Sequence, residues 1–464
     1  MPLLGSRGAA SLTGFGGLAK LGYLLRNSLR FRRSNSAYLS RTFASAGNRR
    51  TYTLSLWVKR GSLDGSASQF FFGSGVSTTA GGFYFTSTNQ LEINPRVNNT
   101  NTYITTTQVF RDPSAWYHIV VALDTTQATD SNRLKLYVNG VQVTAFSATI
   151  YPALNGDSTL NNNIAHWIGL YPEPGFPSPF DGYLAEYNFI DGQALTPSSF
   201  GASNASGVWY PIPYAGSYGT NGFNLKFTNA SSLGTDSSPN GNNFTVNNLT
   251  SVDQSTDSTL NNFCTINPLD VAPSQTFTDG NLTCSYGATN VSNRSSFALD
   301  TGKWYWEMKV TSISGGGLLT GVTDSTQSLS TWVGATTYSY GYYSTNGQKY
   351  NNNSGSAYGN SYTNNDIIGI AFDATNGKIY FSKNGTFQNS GNPATDTNPA
   401  FTGLTGRLFF PATSGYSGDA ISYNFGSPAY SANSYADGAG YGNFSYAVPS
   451  GYYALCTANL NTYG

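Results

Sequence analysis

At 464 residues, with zero formal net charge, 10% charged residues and 15% aromatics, the chain is long enough for two or three domains whose cores rest on Tyr and Phe. The aromatic content excludes a disordered chain, and no run of 18 apolar residues is present to cross a bilayer as a helix. Three scattered cysteines, Cys264, Cys284 and Cys456, supply neither a disulfide framework nor a C-x-x-C zinc pair and read as isolated buried thiols.

The zero net charge conceals a polarity along the chain. Residues 1–60 hold eleven Lys or Arg and no acid, whereas the remainder carries a net charge of −11. Residues 1–27 form a basic arm in which Gly5, Gly8, Gly14, Gly16, Gly17 and Gly22 break any helix. Such an arm orders by docking on something else, and an acidic surface suits it. Arg7, Lys20 and Arg26 are its candidate docking residues. The acid-free composition also fits a mitochondrial transit peptide. A signal peptide fits less well, because Lys20 and the glycines interrupt the apolar stretch.

Residues 28–200 read as a first β domain. Tyr52-Thr53-Leu54-Ser55-Leu56-Trp57-Val58-Lys59 alternates with a period of two. Further strand-like runs are Trp116-Tyr117-His118-Ile119-Val120-Val121, Leu134-Lys135-Leu136-Tyr137-Val138-Asn139-Gly140, His166-Trp167-Ile168-Gly169 and Phe180-Asp181-Gly182-Tyr183-Leu184-Ala185-Glu186. Their order and content resemble the laminin-G-like, concanavalin-like jelly-roll family, which implies a β-sandwich; many relatives bind glycans or protein surfaces, some through calcium. Asp124, Asp130, Asp157, Asp181 and Glu186 offer oxygens, but no compact acidic loop gathers them, so no cofactor is expected, with calcium as the alternative. His118 and His166 each lie near a Trp in an apolar strand and read as structural.

Residues 201–275 have a different texture and read as a β-rich connector. Phe223, Leu225 and Phe227 alternate, while Gly219-Thr220-Asn221-Gly222 and Pro239-Asn240-Gly241-Asn242-Asn243 are turns. Asp236 with Asn240, Asn242 and Asn243 is explained by turn chemistry without a cation. The run from Gly216 to Phe223, the Leu233–Phe244 segment and Asn261-Asn262-Phe263-Cys264-Thr265-Ile266-Asn267-Pro268-Leu269-Asp270 resemble the linker between laminin-G-like and SPRY-like modules in tail-fibre-type virion proteins of marine bacteriophages.

Residues 276–430 carry the clearest pattern. Trp304, Trp306, Met308 and Val310 alternate with Lys303, Tyr305, Glu307 and Lys309. Two apolar runs, Asp366–Asp373 and Lys378–Lys383, flank an Asn376-Gly377 turn. With Phe409-Phe410-Pro411-Ala412 and Asn424-Phe425-Gly426 following in order, this stretch resembles the SPRY family, which implies a β-sandwich presenting loops to a partner. Between residues 332 and 362, Trp332, Tyr338, Tyr340, Tyr342, Tyr343, Tyr350, Tyr358 and Tyr362 stand among Asn, Ser, Thr and Gly, a composition suited to a ligand loop. A strand pair facing the core fits Tyr338, Tyr340 and Tyr342 equally well, because a period of two does not say which face is wet. Residues 431–464 form a tail expected to pack on the second sandwich.

The expected fold class is therefore all-β, with two jelly-roll or β-sandwich domains in tandem, a β-rich connector and an extended N-terminal arm. No enzyme is expected: the four glutamates, Glu92, Glu173, Glu186 and Glu307, provide no closely spaced pair, and no nucleophile elbow, Walker loop or zinc-protease helix occurs. Nucleic acid is not an expected partner, since the basic residues lack interleaved aromatics. The resemblance implies a phage virion protein of tail-fibre or spike type that docks on other virion proteins and binds a host glycan or protein. It also implies a homo-oligomer, with a trimer favoured. The alternatives are a purely structural capsid or tail component and, with a pair of Asp carboxylates, a glycan hydrolase.

Overall fold

The strand Thr51–Arg60 shows how the pattern builds the fold: Tyr52, Leu54, Leu56 and Val58 point into an apolar core, while Thr53, Ser55, Trp57 and Lys59 occupy the opposite face. The computed structural model describes residues 23–75, 79–171 and 178–464, together with the backbone of Leu4–Gly5. The chain divides into two compact units between Leu260 and Asn261.

In the first unit, one antiparallel sheet runs in the order Val141–Gln142, Leu134–Val138, Trp116–Asp124, Thr51–Arg60, Gly182–Asp191, Ser28–Phe31 and Gln254–Ser255. The facing sheet runs Phe146–Ile150, Tyr103–Val109, Gln90–Asn94, Gly81–Phe85, Gln69–Ser74, Ala165–Ile168, Tyr38–Thr42 and Thr245–Asn247. Leu, Ile, Val and Phe side chains from both fill the space between them.

Much of the segment read as a β-rich connector packs on the first sandwich. Phe223–Leu225 pairs with Tyr187, Asn188 and Phe189, Thr245–Asn247 pairs with Tyr38–Ser40, and Gln254–Ser255 pairs with Ser28–Leu29. The physical reason is burial: Phe223, Leu225, Leu233 and Phe244 insert into the first core. Where Ser28–Phe31 gives way to Phe223–Leu225 along Gly182–Asp191, the strand bulges at Glu186, whose φ is +45°.

The outer face of this sheet is occupied by the chain itself. Leu195, Phe200, Tyr214 and Tyr218 cover Val120, Tyr137 and Ile190, and Leu25, Tyr23 and Trp209 cover Trp57 and Ala185. The Tyr23 hydroxyl donates to buried Glu186 at 2.6 Å. Asp236 accepts from the backbone N–H groups of Asn224, Ser238 and Asn242, so its oxygens serve a turn.

Both histidines are fully buried and desolvation holds them neutral, His118 down to about 3 and His166 to about 4. His118 stacks on Trp57 and Trp209; its Nδ1 accepts from Trp209 Nε1 at 3.0 Å, so Nε2 carries the proton toward Ser55 Oγ at 2.9 Å. His166 has the opposite tautomer: Nε2 accepts from the Asn161 N–H at 3.0 Å and Nδ1–H donates to the Ile164 carbonyl at 2.9 Å.

In the second unit, one sheet runs Ile266–Val271, Val291–Ser295, Phe409–Gly415, Leu319–Asp324, Ser339–Tyr343, Gln348–Asn351 and Ser354–Ala357. The other runs Gln275–Thr278, Thr283–Tyr286, Ala420–Asn424, Lys303–Ser312, Ile367–Asp373, Lys378–Lys383 and Thr386–Phe387. Trp304, Trp306, Met308 and Val310 face the core between them. The tail covers the far side of Lys303–Ser312: Tyr453–Ala454 pairs in parallel with Trp304–Tyr305, and Phe444, Tyr452 and Cys456 pack with Tyr305 and Tyr380. Buried Glu307 fixes the tail by accepting from the Ser445 and Tyr446 N–H groups, each at 2.9 Å, and from Asn424 Nδ2 at 3.0 Å. A short helix, Thr457–Tyr463, ends the chain and was not foreseen from its Asn- and Thr-containing sequence. All three cysteines are buried, and burial pushes the Cys284 and Cys456 thiols up to about 12.

Candidate functional site

On the second unit, the sheet face turned away from the core carries Leu319, Gly321, Gly341, Tyr343, Tyr350, Ala412 and Ser414, brought side by side by strand register. A loop, residues 325–338, folds back over this face. Gly341 makes room for it: a Cβ there would lie 2.8 Å from the Val333 carbonyl oxygen. The loop is held by hydrogen bonds from Val333 N to Ser414 Oγ at 3.0 Å, Gly334 N to Ser339 Oγ at 2.7 Å, and Asn353 N to the Gly334 carbonyl at 3.0 Å. Trp332 is thereby fixed at the rim of an open hollow of about 220 Å³ lined by Asn290, Leu319, Trp332, Tyr343, Tyr350 and Tyr416.

The rings meet at near right angles: Trp332 with Tyr350 at 5.5 Å and Tyr343 with Tyr350 at 5.8 Å, each at 86°. The Tyr343 hydroxyl donates to the Gly316 carbonyl at 2.6 Å and the Tyr350 hydroxyl to Gln348 Oε1 at 2.9 Å, so both rings are oriented before any ligand arrives. Burial, with Tyr343 and Asp419 nearby, raises the Tyr416 phenol above its ordinary value and keeps it a donor. Among the described residues, no charged side chain lines the hollow. It offers apolar ring faces, hydroxyls and one amide, suited to an uncharged ligand with an apolar face and polar edges.

Of the eight aromatic candidates, the structure brings Trp332, Tyr343 and Tyr350 together. Tyr342, Tyr358 and Tyr362 are corrected to core residues: they point between the sheets and are buried, with the Tyr342 ring meeting those of Tyr358, Tyr362 and Phe381 edge-on or tilted. Tyr340 packs inward against Phe401 and Phe409. Tyr338 lies at the surface beneath the Arg407 guanidinium, 3.4 Å from its ring, and Arg407 also pairs with Asp324. Asn290, Leu319 and Tyr416 were not anticipated, because they reach the hollow from three separate strands and turns. Of the arm candidates, Arg7 and Lys20 lie outside the described residues, and Arg26 is exposed beside the anchored Leu25. Among the described residues, no group of three or more His, Cys, Asp or Glu is placed to hold a metal, and no helix is long and apolar enough to cross a membrane.

Residues 33–200 match the model of the concanavalin A-like lectin/glucanases superfamily, and residues 303–428 match that of the SPRY domain. The chain carries both domains. Among solved structures, the SPRY domain of human HERC1 is 18% identical and covers 34% of this chain and 96% of its own, with a TM-score of 0.29. A human SPRY domain is 19% identical, covering 31% and 90%, with a TM-score of 0.24. The PSpry domain of TRIM65 is 14% identical, covering 35% and 91%, with a TM-score of 0.28. No curated protein matches the chain. Both domain types are typically non-catalytic binding modules, and the aromatic hollow belongs to the SPRY domain.

Proposed function

We propose that this protein is a non-enzymatic adhesin of a phage virion, of tail-fibre or spike type, that binds an uncharged host-surface glycan through the aromatic hollow of its SPRY domain. The observation that carries the reading is the hollow itself, whose oriented rings and lack of charge suit the apolar face of a sugar ring. The virion role is supported by the resemblance of the connector to phage virion linkers and by the acid-free arm, in which Arg7, Lys20 and Arg26 would meet other virion proteins. A homotrimer would multiply weak single-site contacts into useful avidity. The concanavalin-like domain supports the adhesive reading less directly, because its outer sheet face is filled by Tyr23, Leu25, Trp209, Phe200 and Tyr214.

The test is a glycan array and a host-cell binding assay with the wild-type chain and the Trp332→Ala and Tyr350→Ala variants. Loss of a stacked ring costs about 1–3 kcal/mol where aromatic stacking on a planar ligand has been measured, so binding is expected to weaken by roughly fivefold to a hundredfold. Melting temperatures should stay close to wild type, since both rings are only partly buried. Wild-type binding that survives both substitutions rejects the hollow as the site. Absence of any glycan or cell binding favours a purely structural virion component.

A further inference from the structure

Lys59 and Asp257 form an unusual pair. Lys59 lies on the outer face of Thr51–Arg60 and Asp257 on the segment that closes the same sheet edge. Lys59 Nζ is 2.7 Å from Asp257 Oδ2, and both side chains are 1% exposed. Trp116 Nε1 donates to the other oxygen, Asp257 Oδ1, at 3.1 Å, and the Tyr183 ring lies 5.4 Å from Nζ. The Asp257 N–H donates to Ser255 Oγ, and Ser28 Oγ donates to the Asp257 carbonyl. An amine and a carboxyl are thus held in contact, with water excluded, by groups fixed on both sides.

We propose that Lys59 and Asp257 condense to an intramolecular isopeptide bond. Proton transfer from Nζ to Oδ2 across the 2.7 Å contact gives a neutral amine facing a neutral carboxylic acid. The Nζ lone pair attacks Asp257 Cγ, forming a C–N bond. Negative charge gathers on Oδ1, where the Trp116 N–H receives it. Collapse re-forms the Cγ=Oδ1 double bond and breaks Cγ–Oδ2; the departing oxygen takes a second amine proton and leaves as water. One amide and one water form from one amine and one acid, and no redox partner enters. Holding the two groups in contact makes the step unimolecular, replacing an encounter that free amine and acid would need. The product ties residue 257 to residue 59 through a side-chain amide.

The experiment is mass spectrometry of the full-length protein after denaturation and reduction. The proposal expects an intact mass about one water, roughly 18 Da, below that of the sequence, and a proteolytic fragment in which the peptides carrying Lys59 and Asp257 remain joined. A Lys59→Arg variant keeps the positive charge but lacks the amine nucleophile, and should show the full mass. An unchanged wild-type mass after prolonged incubation at 37 °C overturns the proposal and leaves an ordinary buried ion pair. A loss of water that persists in Lys59→Arg, or that maps within the Asp257 peptide alone, also overturns it, since succinimide formation would then account for the mass. The wild-type reading does not depend on the variant folding.

Discussion

Acidification from pH 7.5 to 5 is expected to destabilise the concanavalin-like domain by about 4 kcal/mol through its two histidines alone. Both have folded-state values depressed below the ordinary 6.5, to about 3 for His118 and about 4 for His166. The native state therefore binds fewer protons than the unfolded chain. The stability that follows is fully present above pH 6.5 and is lost as pH falls toward those folded values, with each histidine contributing about half of the change by pH 5. The hydrogen bonds give the same sign, because each imidazole uses one nitrogen to accept an N–H. Protonating that nitrogen breaks the bond and sets two donors against each other. Urea midpoints at pH 7.5 and pH 5 check this, and the slope should shrink by about half in His118→Gln, whose amide retains a donor and an acceptor. An identical pH slope in that variant would assign the acid sensitivity to carboxylates elsewhere.

The second large effect is expected at Glu307. Replacing it with Ala removes the acceptor of two backbone N–H groups and of Asn424 Nδ2, all in buried surroundings. Stranding these donors should cost the SPRY domain roughly 3 to 5 kcal/mol. Burial raises the Glu307 carboxyl above the usual range, while the donors from Ser445, Tyr446 and Asn424 oppose that shift. The charge itself thus weighs against folding at neutral pH, and this cost is relieved as pH falls toward the raised value. The favourable part is the set of hydrogen bonds, so Glu307→Gln, which keeps one acceptor oxygen, should lose less than Glu307→Ala. Thermal melts rank the variants, and limited proteolysis should cut Glu307→Ala first within residues 427–450. Equal melting temperatures for all three proteins would show that the tail is held by Phe444 and Tyr452 without the carboxylate.

Much of the fold was legible because the long strands alternate without interruption. Tyr52 to Val58 and Trp304 to Val310 each declare one apolar face, and the hairpin from Ile367–Asp373 to Lys378–Lys383 is announced by Asn376-Gly377. The connector was harder. Its strands, Phe223–Leu225, Thr245–Asn247 and Gln254–Ser255, are two or three residues long. They are strands only because distant edges of the first sandwich accept them, which no local period reveals.

The site was half legible for a related reason. Tyr342 and Tyr343 are neighbours in sequence and in composition, yet one is sealed between sheets and the other lines the hollow. Alternation required that they face opposite ways, but only the second sheet determines which way is inward. Tyr416 and Asn290 belong to turns with no aromatic clustering of their own. They enter the hollow because Phe409–Gly415 and Val291–Ser295 are paired strands whose ends meet beside Leu319.

The sealed thiols have a practical consequence. With Cys264, Cys284 and Cys456 all interior, a single cysteine introduced at an exposed position such as Ser356 would be the one readily alkylated by maleimide in the native protein. One dye per chain at that position, close to the Tyr350 hairpin, would turn ligand capture into a fluorescence signal.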